Sequence, residues 1–511
     1  MASVACAQRE SKGVSGTAVY QRRRPERSTV YQVVQGHLET WLAECRYTAE
    51  DGFPVAGYIE EDLRKYLQCG ILAHGFARAR CDDCGYDFLI AYSCKGRGVC
   101  GSCNTRRMVE TAAHLVDEVF PRVPVRQWVL SFPKRLRYFL ARDADLVNSV
   151  LRIFLNSVEK ALQSCCADAP DHARLSAVTF VHRFGSALNG NTHLHCCVID
   201  GLFSAEDETL RFDEATITPE AMAKVQAEAR ERVLRLFKRR SLLSPEDVET
   251  MRQWKHEGGF SLNADVTVAA WDRAGLERLL RYCARPIFAS ERLQWLEKDQ
   301  RLVYRLPKSR PDGQAVLYLT PLEFLDKLAV LIPPPRKHRH RYHGVLAPNA
   351  PLRQAVTAYA GLPINAEVPA TGQALVAEEG IPEAESKAPS YAASLWAMLI
   401  ARIYEVFPLV CPQCGGELKI VAFLIEADPI QRILLHIGEP ATPPRIAPAR
   451  GPPDWPEADF DQSDLNESDE AEPMPCRNLT NRQDSRFARP KAARRVMNKD
   501  VHHEFDQTVS W

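Results

Sequence analysis

Two closely spaced cysteine pairs constrain the fold of this chain more than any other feature. In the segment CDDCGYDFLIAYSCKGRGVCGSC, the pair Cys81 and Cys84 is followed, after 15 intervening residues, by the pair Cys100 and Cys103. A CxxC pair places two sulfurs on one side of a tight turn. Two such pairs at this spacing are typical of a tetrahedral zinc site with four cysteine ligands. The sequence therefore predicts a structural zinc ribbon.

The exact ligand set stays open at this point. Cys94 is an alternative ligand, and Cys69 and His74 lie nearby in the sequence. The 16 cysteines of the chain fit metal sites in a reducing compartment better than a disulfide framework, because the chain is long enough to form a large core.

A second candidate metal site lies in NTHLHCCVID. His193 and His195 are two residues apart, so on a strand their side chains point to the same face. His182 lies on the preceding predicted strand, across a turn at about 187–191, within reach of that face. Three imidazoles there could bind a divalent ion and leave positions open for a phosphate oxygen and water. A hydrogen-bonded histidine pair without metal is the competing interpretation.

The segment GLERLLRYCARPIF contains a candidate nucleophile. Its apolar residues recur at helical spacing, and Tyr282 lies at the margin of that apolar stripe. Arg278 and Arg285 lie on the same side of the helix as this tyrosine. Next to a metal, such a group could bind a phosphodiester while the phenolate attacks it. Without the histidines, an amphipathic tyrosine at a helix edge would be the better interpretation.

Basic residues indicate a nucleic-acid partner. The segment PPPRKHRHRYHGVLAP, at 333–348, combines backbone-binding charges with an aromatic ring that could stack on a base. Charges adjoining the cysteine pairs could contact phosphate as well, although a solvated basic rim is equally compatible with them. The predicted DNA-binding residues are Arg106, Arg107, Arg336, Lys337, Arg339, Arg341 and Tyr342.

The alternation of strands and helices after residue 120 predicts an α+β domain with a mainly antiparallel sheet. The predicted organisation is a disordered basic arm at 1–30, a zinc-binding domain at 31–120, a catalytic domain at 121–345, a linker at 346–390, a small module at 391–442 and a disordered tail at 443–511. In the small module, Cys411 and Cys414 form half of a zinc knuckle. His436 or Cys476 could complete it, or the site could be degenerate.

Composition excludes some classes of protein. No apolar run approaches the length of a membrane span, and the N-terminus lacks a hydrophobic signal core, so we expect a cytoplasmic protein with no membrane partner. The net charge of zero hides a segregation of charge, because residues 454–472 contain nine acidic residues and no basic ones. The rest of the chain carries the corresponding basic excess, which is compatible with a polyanionic partner.

Several of these segments together resemble one family. The cysteine-rich segment, VTFVHRFGSALNGNTHLHCCVIDG, RYCARPIFASERL and RYHGVLAPNAPLR are similar to the rolling-circle insertion-sequence transposases of the HUH class, which carry an N-terminal zinc-binding domain. The resemblance covers residues 40–350, and WAMLIARIYEVFPLVCPQCGG extends it to about 440.

This resemblance implies a function and a set of roles. It places the metal-binding histidine pair on His193 and His195, with His182 as the third ligand, and the attacking tyrosine on Tyr282. The expected metals are structural Zn²⁺ and catalytic Mg²⁺ or Mn²⁺. The expected substrates are single-stranded DNA at the ends of the insertion sequence and target DNA, within the bacterial nucleoid.

One departure assigns the chain to a branch of the family. Some relatives carry a second tyrosine four residues after the first, and Pro286 occupies that position here. The chain thus resembles the single-tyrosine branch, like the transposases of common-region elements. Two rival functions remain: a replication initiator or relaxase that uses the same chemistry, and a non-catalytic zinc-containing DNA-binding regulator.

Overall fold

The computed structural model describes residues 23–48, 55–206, 209–310, 313–364, 411 and 413–450. The helices in these residues are α1 Thr29–Thr48, α2 Gly57–Gln68, α3 Gly101–His114, α4 Lys134–Arg142, α5 Ala144–Cys165, α6 Pro219–Arg239, α7 Pro245–Gln253, α8 Lys255–Gly258, α9 Arg273–Cys283, α10 Pro321–Leu331, α11 Arg353–Ala358 and α12 Ala427–His436. The strands are β1 Phe76–Cys81, β2 Asp87–Ala91, β3 Val125–Ser131, β4 Ser176–Phe184, β5 Gly190–Ile199, β6 Gly201–Glu206, β7 Thr209–Glu214, β8 Ser261–Val268, β9 Leu293–Leu296, β10 Arg301–Arg305, β11 Val316–Leu319, β12 His340–Gly344 and β13 Leu418–Leu424. This mixture of helices and antiparallel sheets confirms the predicted α+β class.

A five-stranded antiparallel sheet forms the centre of the molecule, in the order β12-β4-β5-β3-β8. Strands β4 and β5 form the hairpin expected from the sequence, and the Gly185 N–H closes its loop by donating to the Asn189 carbonyl at 2.7 Å. The pattern THLHCCVIDGLF predicts a strand that continues to Phe203, but β5 ends at Ile199. After this break, β6 pairs with β7 in a separate two-stranded sheet.

The two faces of the central sheet pack against different helices. Because side chains alternate along a strand, the adjacent residues Cys196 and Cys197 of β5 belong to opposite cores. Cys196 lies on the side covered by α4, α5, α6 and α7, where Phe154 and Phe237 are fully buried. Cys197 lies on the side covered by α3 and α9. The sheet is therefore a buried layer that fixes the side chains it presents to α9.

A smaller sheet, β9-β10-β11, packs with α10 against the N-terminal helices α1 and α2. The strand-like segments RLVYRLPK and QAVLYLT, on either side of the turn-forming residues 311–313, predict a hairpin. Strand β10 pairs with β11 accordingly, although residues 311 and 312 lie outside the described part. Helix α10 begins with a capping box, in which the Thr320 hydroxyl accepts from the Glu323 N–H and the Glu323 carboxylate accepts from the Thr320 N–H. Segments distant in the sequence thus share one core around the N-terminal helices.

The third sheet, β13-β1-β2, joins the two ends of the described chain. Strand β13 pairs antiparallel with β1, and α12 packs on residues 72–74. After α12 the chain runs along α1, where Glu439 forms an ion pair with Arg24 at 2.9 Å and the Ala447 N–H donates to the Gln35 carbonyl at 2.9 Å. Residues 411–450 therefore pack on the N-terminal region.

Three segment boundaries differ from the sequence prediction. Helix α1 begins at Thr29, inside the expected arm, and α11 lies inside the expected linker. Residues 443–450, expected to be disordered, lie against α1, because the Ala447 N–H donates to the Gln35 carbonyl and the Arg450 N–H donates to the Thr40 hydroxyl. The remainder of the linker at 365–390, and Cys476 in the tail, lie outside the described residues.

Candidate functional site

Three histidines converge on the face of the central sheet that α9 covers. His182 of β4 lies directly opposite His193 of β5, and His195 is two residues further along the same face. The ring centroid of His182 lies 5.1 Å from that of His193 and 4.3 Å from that of His195. One nitrogen of each ring lies within 4.8 Å of the others. The residues singled out from the sequence thus form one cluster.

Hydrogen bonds orient these rings and leave ligand atoms free. The Nε2–H of His182 donates to the Cys283 carbonyl at 2.6 Å, and the Nδ1–H of His193 donates to the Asn191 carbonyl at 2.9 Å. The Nδ1 atom of His182 and the Nε2 atom of His195 are buried and have no hydrogen-bond partner. Buried polar atoms are rarely left without a partner, so these two nitrogens fit a metal ligand set.

Burial keeps the three rings uncharged. Loss of hydration lowers the pKa of His182 and His193 below the usual range, and it lowers the pKa of His195 to about 3. The imidazole of His193 and the charge of Arg285 act in the same direction on the pKa of His195. Neutral imidazole is the form that binds a metal, so the cluster is in its ligating form at neutral pH.

Gln127 is part of this site, and the sequence analysis did not identify it. It lies on β3, with its amide Nε2 2.9 Å from Nδ1 of His195 and 3.2 Å from Sγ of Cys283. It is 4% exposed. The signal in the sequence was a polar residue at an alternate position of the buried strand VRQWVLS, where an apolar residue would be expected.

Tyr282 lies beside the histidines, near the C-terminal end of α9. The helix buries the apolar stripe recognised in the sequence and leaves the Tyr282 side chain 47% exposed. Its ring centroid is 5.6 Å from that of His195, and the Arg285 guanidinium lies 4.4 Å from its centre. Arg278 is directed elsewhere: it is largely exposed and lies 3.7 Å from Asp272, which caps the start of the helix. The structure thus brings only Arg285 of the two predicted arginines to Tyr282.

A basic cleft adjoins the histidine cluster. His182, Phe184 and Cys283 form part of its wall, and none of the described residues lining it is acidic. Its cationic residues come from four parts of the chain. They are Arg97 and Arg107 in or just before α3, Arg183 in β4, Arg285 just after α9, and Lys337, Arg339 and Arg341 in or just before β12.

The cations of this cleft repel one another, and the Asp62 carboxylate offsets only part of this effect on Arg97 and Arg339. Burial and the charges of Arg107 and Arg97 lower the pKa of Arg339 to about 9. Burial and Arg341 lower the pKa of Arg183. A bound polyanion would relieve this repulsion, so the cleft fits phosphate groups.

The residues predicted to bind DNA occupy different positions in the structure. Arg107, Lys337, Arg339 and Arg341 line the cleft, whereas Arg336 is exposed outside this lining. Arg106 forms an ion pair with Glu110 at 2.6 Å. Arg97, one of the basic residues adjoining the cysteine pairs that could contact phosphate, also lines the cleft. Arg183 lines it as well and was not predicted from the sequence.

Part of the predicted basic loop is a strand. Residues His340–Gly344 form β12 at the edge of the central sheet, paired antiparallel with β4 from His340↔Phe180 to Gly344↔Ser176. The Tyr342 ring packs on an apolar cluster, with the Arg353 guanidinium 4.9 Å from its centre. It is therefore not an open stacking platform in this structure.

The four cysteines predicted to share one zinc ion lie in two separate clusters. Cys100 and Cys103 join Cys69 and Cys94, and Cys81 and Cys84 join a pair from the C-terminal segment. The hairpin β1-β2 explains this difference. The turn of this hairpin carries Cys81 and Cys84. Each of its strands has five paired residues, which at 3.4 Å per residue separate the turn from the base of the hairpin by about 17 Å.

The cluster at the base of this hairpin has the geometry of a zinc site. Sγ of Cys69 lies 3.5 Å from that of Cys100 and 3.7 Å from that of Cys103, and Sγ of Cys94 lies 3.6 Å from that of Cys103. In a tetrahedral site with zinc–sulfur bonds of about 2.3 Å, the sulfurs lie about 3.8 Å apart. The set therefore includes Cys94 and Cys69, which the sequence had left as alternatives.

Two segments of the chain match models of known protein families. Residues 176–353 match the family described as "Putative transposase", and residues 39–132 match the family described as "Transposase zinc-binding domain". No curated protein and no solved structure matches the chain. Residues 176–353 are therefore similar to a transposase family, and residues 39–132 are similar to a family of transposase zinc-binding domains. The two similarities together support a function in DNA transposition.

The two matched segments contain most of the candidate metal-binding residues. The transposase match includes the three histidines and Tyr282, and the zinc-binding match includes all four cysteines at the hairpin base, which supports structural zinc. Cys411 and Cys414 lie outside both matches. Among the described residues, no helix has the length and apolar character that crossing a membrane requires.

Proposed function

We propose that this protein is a rolling-circle DNA transposase of the HUH class. In this proposal it nicks and joins single-stranded DNA at the ends of an insertion sequence through a covalent 5′-phosphotyrosine. One observation carries the proposal: an exposed tyrosine, Tyr282, lies 5.6 Å from the nearest ring of a buried three-histidine cluster, beside a cleft without acidic lining among the described residues.

The histidine cluster fits a divalent metal ion. His182 would bind through Nδ1 and His195 through Nε2, the two nitrogens left without partners, and His193 through Nε2, because its Nδ1 is hydrogen-bonded. Mg²⁺ or Mn²⁺ held by these residues would act as a Lewis acid on the scissile phosphate. Of the two ions, Mn²⁺ suits imidazole ligands better, since Mg²⁺ prefers oxygen ligands.

The covalent steps balance without an external energy source. The Tyr282 oxygen forms a bond to phosphorus while the bond from phosphorus to the 3′-oxygen breaks. The phenol loses its proton as it attacks, and the departing 3′-oxygen takes up a proton to become a 3′-hydroxyl. In the joining step a 3′-hydroxyl attacks the phosphotyrosine, and the tyrosine hydroxyl is restored. Because each step exchanges one phosphodiester for another, rejoining requires no ATP.

The basic cleft would position the strand. Arg285 contacts the Tyr282 ring and also lines the cleft, so it can bind the phosphate that the tyrosine attacks. Arg97, Arg183 and Arg339 would bind neighbouring phosphates and fix the register of the strand, since phosphate contacts position a nucleic acid without reading its sequence. Structural zinc at the hairpin base would hold Arg97 and Arg107 in place.

The first test is formation of a covalent adduct. Purified protein is mixed with labelled single-stranded oligonucleotides covering the DNA that flanks the gene, in the presence of Mg²⁺ or Mn²⁺. We expect a denaturation-resistant protein–DNA adduct that falls by more than about 100-fold in Tyr282→Phe, because the nucleophile is removed.

Tyr138→Phe is the matched control for this test. Tyr138 is 49% exposed, lies on a helix, and has an arginine guanidinium 3.7 Å from its ring centre, so it resembles Tyr282 in exposure and in its stacked cation. It should form the adduct at the level of the unsubstituted protein. An adduct that persists in Tyr282→Phe would show that another residue is the nucleophile.

The same reaction separates the rival functions. A non-catalytic regulator would bind duplex DNA without forming any adduct. A replication initiator or relaxase would form one on an origin sequence and would not join the two ends of an element. The match to a transposase family over residues 176–353 favours transposition over both.

A further inference from the structure

A second four-cysteine cluster brings together the two ends of the described chain. Sγ of Cys81 lies 3.5 Å from Sγ of Cys414, and Sγ of Cys84 lies 3.5 Å from Sγ of Cys411. All four sulfurs lie within 4.8 Å of one another. A disulfide would place two sulfurs about 2.05 Å apart, whereas zinc ligands lie about 3.8 Å apart. The spacing is that of four ligands around one ion.

The two cysteine pairs lie in turns of the same construction. The Gly85 N–H donates to the Cys81 carbonyl at 3.0 Å, and the Gly415 N–H donates to the Cys411 carbonyl at 2.9 Å. Both glycines have positive φ angles, 73° and 77°, which favour glycine at these two positions. Each turn then directs both of its sulfurs to one point, as zinc knuckles do.

Burial and exposure are also matched between the two pairs. The first cysteine of each pair, Cys81 or Cys411, is buried, and the second, Cys84 or Cys414, is exposed. Four thiolates at this separation repel one another unless a cation lies between them. Lys419, on β13 close to this turn, is instead paired with Asp82 at 2.9 Å. A thiolate set of this kind selects a soft divalent ion such as zinc.

The apolar contacts next to the cluster are confined to two small cores. Strand β13 pairs with β1 from Phe76↔Leu424 to Cys81↔Leu418. Two small cores accompany this pairing, one formed by Leu72, Phe76, Ile430 and Leu434, and the other by Ala79, Cys81, Cys411 and Leu418. Units with so small a core generally need a metal ion or a disulfide to be stable.

We propose that Cys81, Cys84, Cys411 and Cys414 bind a second structural zinc ion, which fastens residues 411–450 to the N-terminal zinc-binding region. The central five-stranded sheet is then an insertion between two segments of the chain that share this zinc ion. The N-terminal one of these two segments also contributes Arg97 and Arg107 to the basic cleft. This site goes beyond both family matches, since neither contains Cys411 or Cys414. It is independent of the chemistry proposed for Tyr282.

Zinc content per chain tests this proposal on the full-length protein. Protein is produced with zinc, dialysed and analysed for metal by mass spectrometry. The double substitution Cys411→Ser/Cys414→Ser should lose one zinc equivalent relative to the unsubstituted chain. Cys165→Ser is the matched control, because Cys165 is partly exposed and lies outside the three metal-binding clusters. An unchanged zinc content in the double variant would overturn the proposal.

A second measurement needs no variant, so it does not depend on the folding of a substituted chain. The zinc-loaded protein is treated with N-ethylmaleimide, digested and analysed by peptide mass spectrometry, before and after removal of zinc with a chelator. Cys84 and Cys414 are exposed, so only a bound ion should protect them, and we expect labelling at least about tenfold slower with zinc. Cys165 should react similarly in both states. Equal labelling of Cys84 and Cys414 in both states, or a disulfide between the pairs, would refute the zinc site.

Discussion

At the scale of single residues, the candidate site depends on buried polar atoms that the protein leaves without partners. His182 and His195 each keep one buried ring nitrogen without a hydrogen-bond partner, although the other nitrogen of each ring is hydrogen-bonded. Desolvation of such a nitrogen is costly unless it binds something. The orientation of His195 depends on Gln127, since that amide contacts the opposite ring nitrogen.

Gln127→Leu is predicted to weaken metal binding. If His195 binds through Nε2, its Nδ1 must carry the proton and needs an acceptor, which the Gln127 carbonyl oxygen supplies once the amide is turned toward it. We expect Gln127→Leu to reduce Mn²⁺ affinity about 10–100-fold, measured by isothermal titration calorimetry.

Gln127→Glu serves as the conservative comparison. It keeps the length of the side chain and offers a carboxylate acceptor to His195, so we expect affinity at least equal to that of the unsubstituted protein. If Gln127→Leu binds Mn²⁺ as tightly as the unsubstituted chain, Gln127 does not position His195 for the metal.

At the scale of secondary-structure elements, the edge strand β12 connects the basic cleft to the central sheet. It pairs with β4 through five residues and carries Arg341, which lines the cleft. The strand ends at Gly344, whose φ is 61° and whose position would place a Cβ atom 1.7 Å from the Leu175 carbonyl oxygen. The close approach of the two backbones there leaves no space for a side chain.

Gly344→Ala is therefore predicted to be strongly destabilising. The left-handed backbone conformation and the overlap with Leu175 together should lower the free energy of unfolding by about 2–5 kcal/mol. Displacement of β12 should also weaken binding to single-stranded DNA. Chemical unfolding followed by circular dichroism, and a filter-binding assay, measure the two effects.

Gly361→Ala separates the steric effect from the backbone effect. Gly361 has a similar φ of 71°, but no atom lies within 4 Å of the position of an added Cβ. Gly361→Ala should lower the free energy of unfolding by only about 1–2 kcal/mol, the cost of placing alanine in the left-handed backbone conformation. Equal losses in the two variants would show that the contact between Gly344 and Leu175 is unimportant.

At the scale of the whole molecule, stability depends on several buried histidines that are neutral in the folded state. Beyond the three-histidine cluster, partial burial lowers the pKa of His340 and His343 to about 4. His114 and His338 act in the same direction on His340, and Arg341 does so on His343. In the unfolded chain these groups have the ordinary value of about 6.5. Between pH 6.5 and pH 4 the unfolded state therefore binds more protons than the folded state.

The free energy of unfolding is predicted to fall as the pH decreases from 6.5 to 4. Each of the two groups contributes up to about 1.4 kcal/mol per pH unit in this window, and the contribution levels off below pH 4. His343→Gln removes one titrating group, so its stability should depend less steeply on pH than that of the unsubstituted chain. Urea unfolding midpoints at several pH values measure both slopes. Identical slopes would contradict the assignment to His343.

The sequence was informative where its signals are local. The alternating pattern of VTFVHRF and THLHCCVID was sufficient to predict β4 and β5 as a hairpin, with three histidines on one face, because side-chain direction on a strand follows residue parity. The periodicity of α9 likewise placed Tyr282 at the margin of a buried stripe. The break after Ile199 and the strand β12 were missed, since neither carries a strong local pattern.

By itself, the sequence determined the α+β class, the kinds of metal-binding residue and the resemblance to transposases. Only the tertiary structure decided which cysteines share a site, because Cys81 and Cys414 lie 333 residues apart and their pairing depends on β1 meeting β13. The same holds for Gln127, which reaches His195 only across neighbouring strands of the folded sheet. Spacing along the chain identifies ligands that share a turn, whereas the packing of distant segments determines which turns come together.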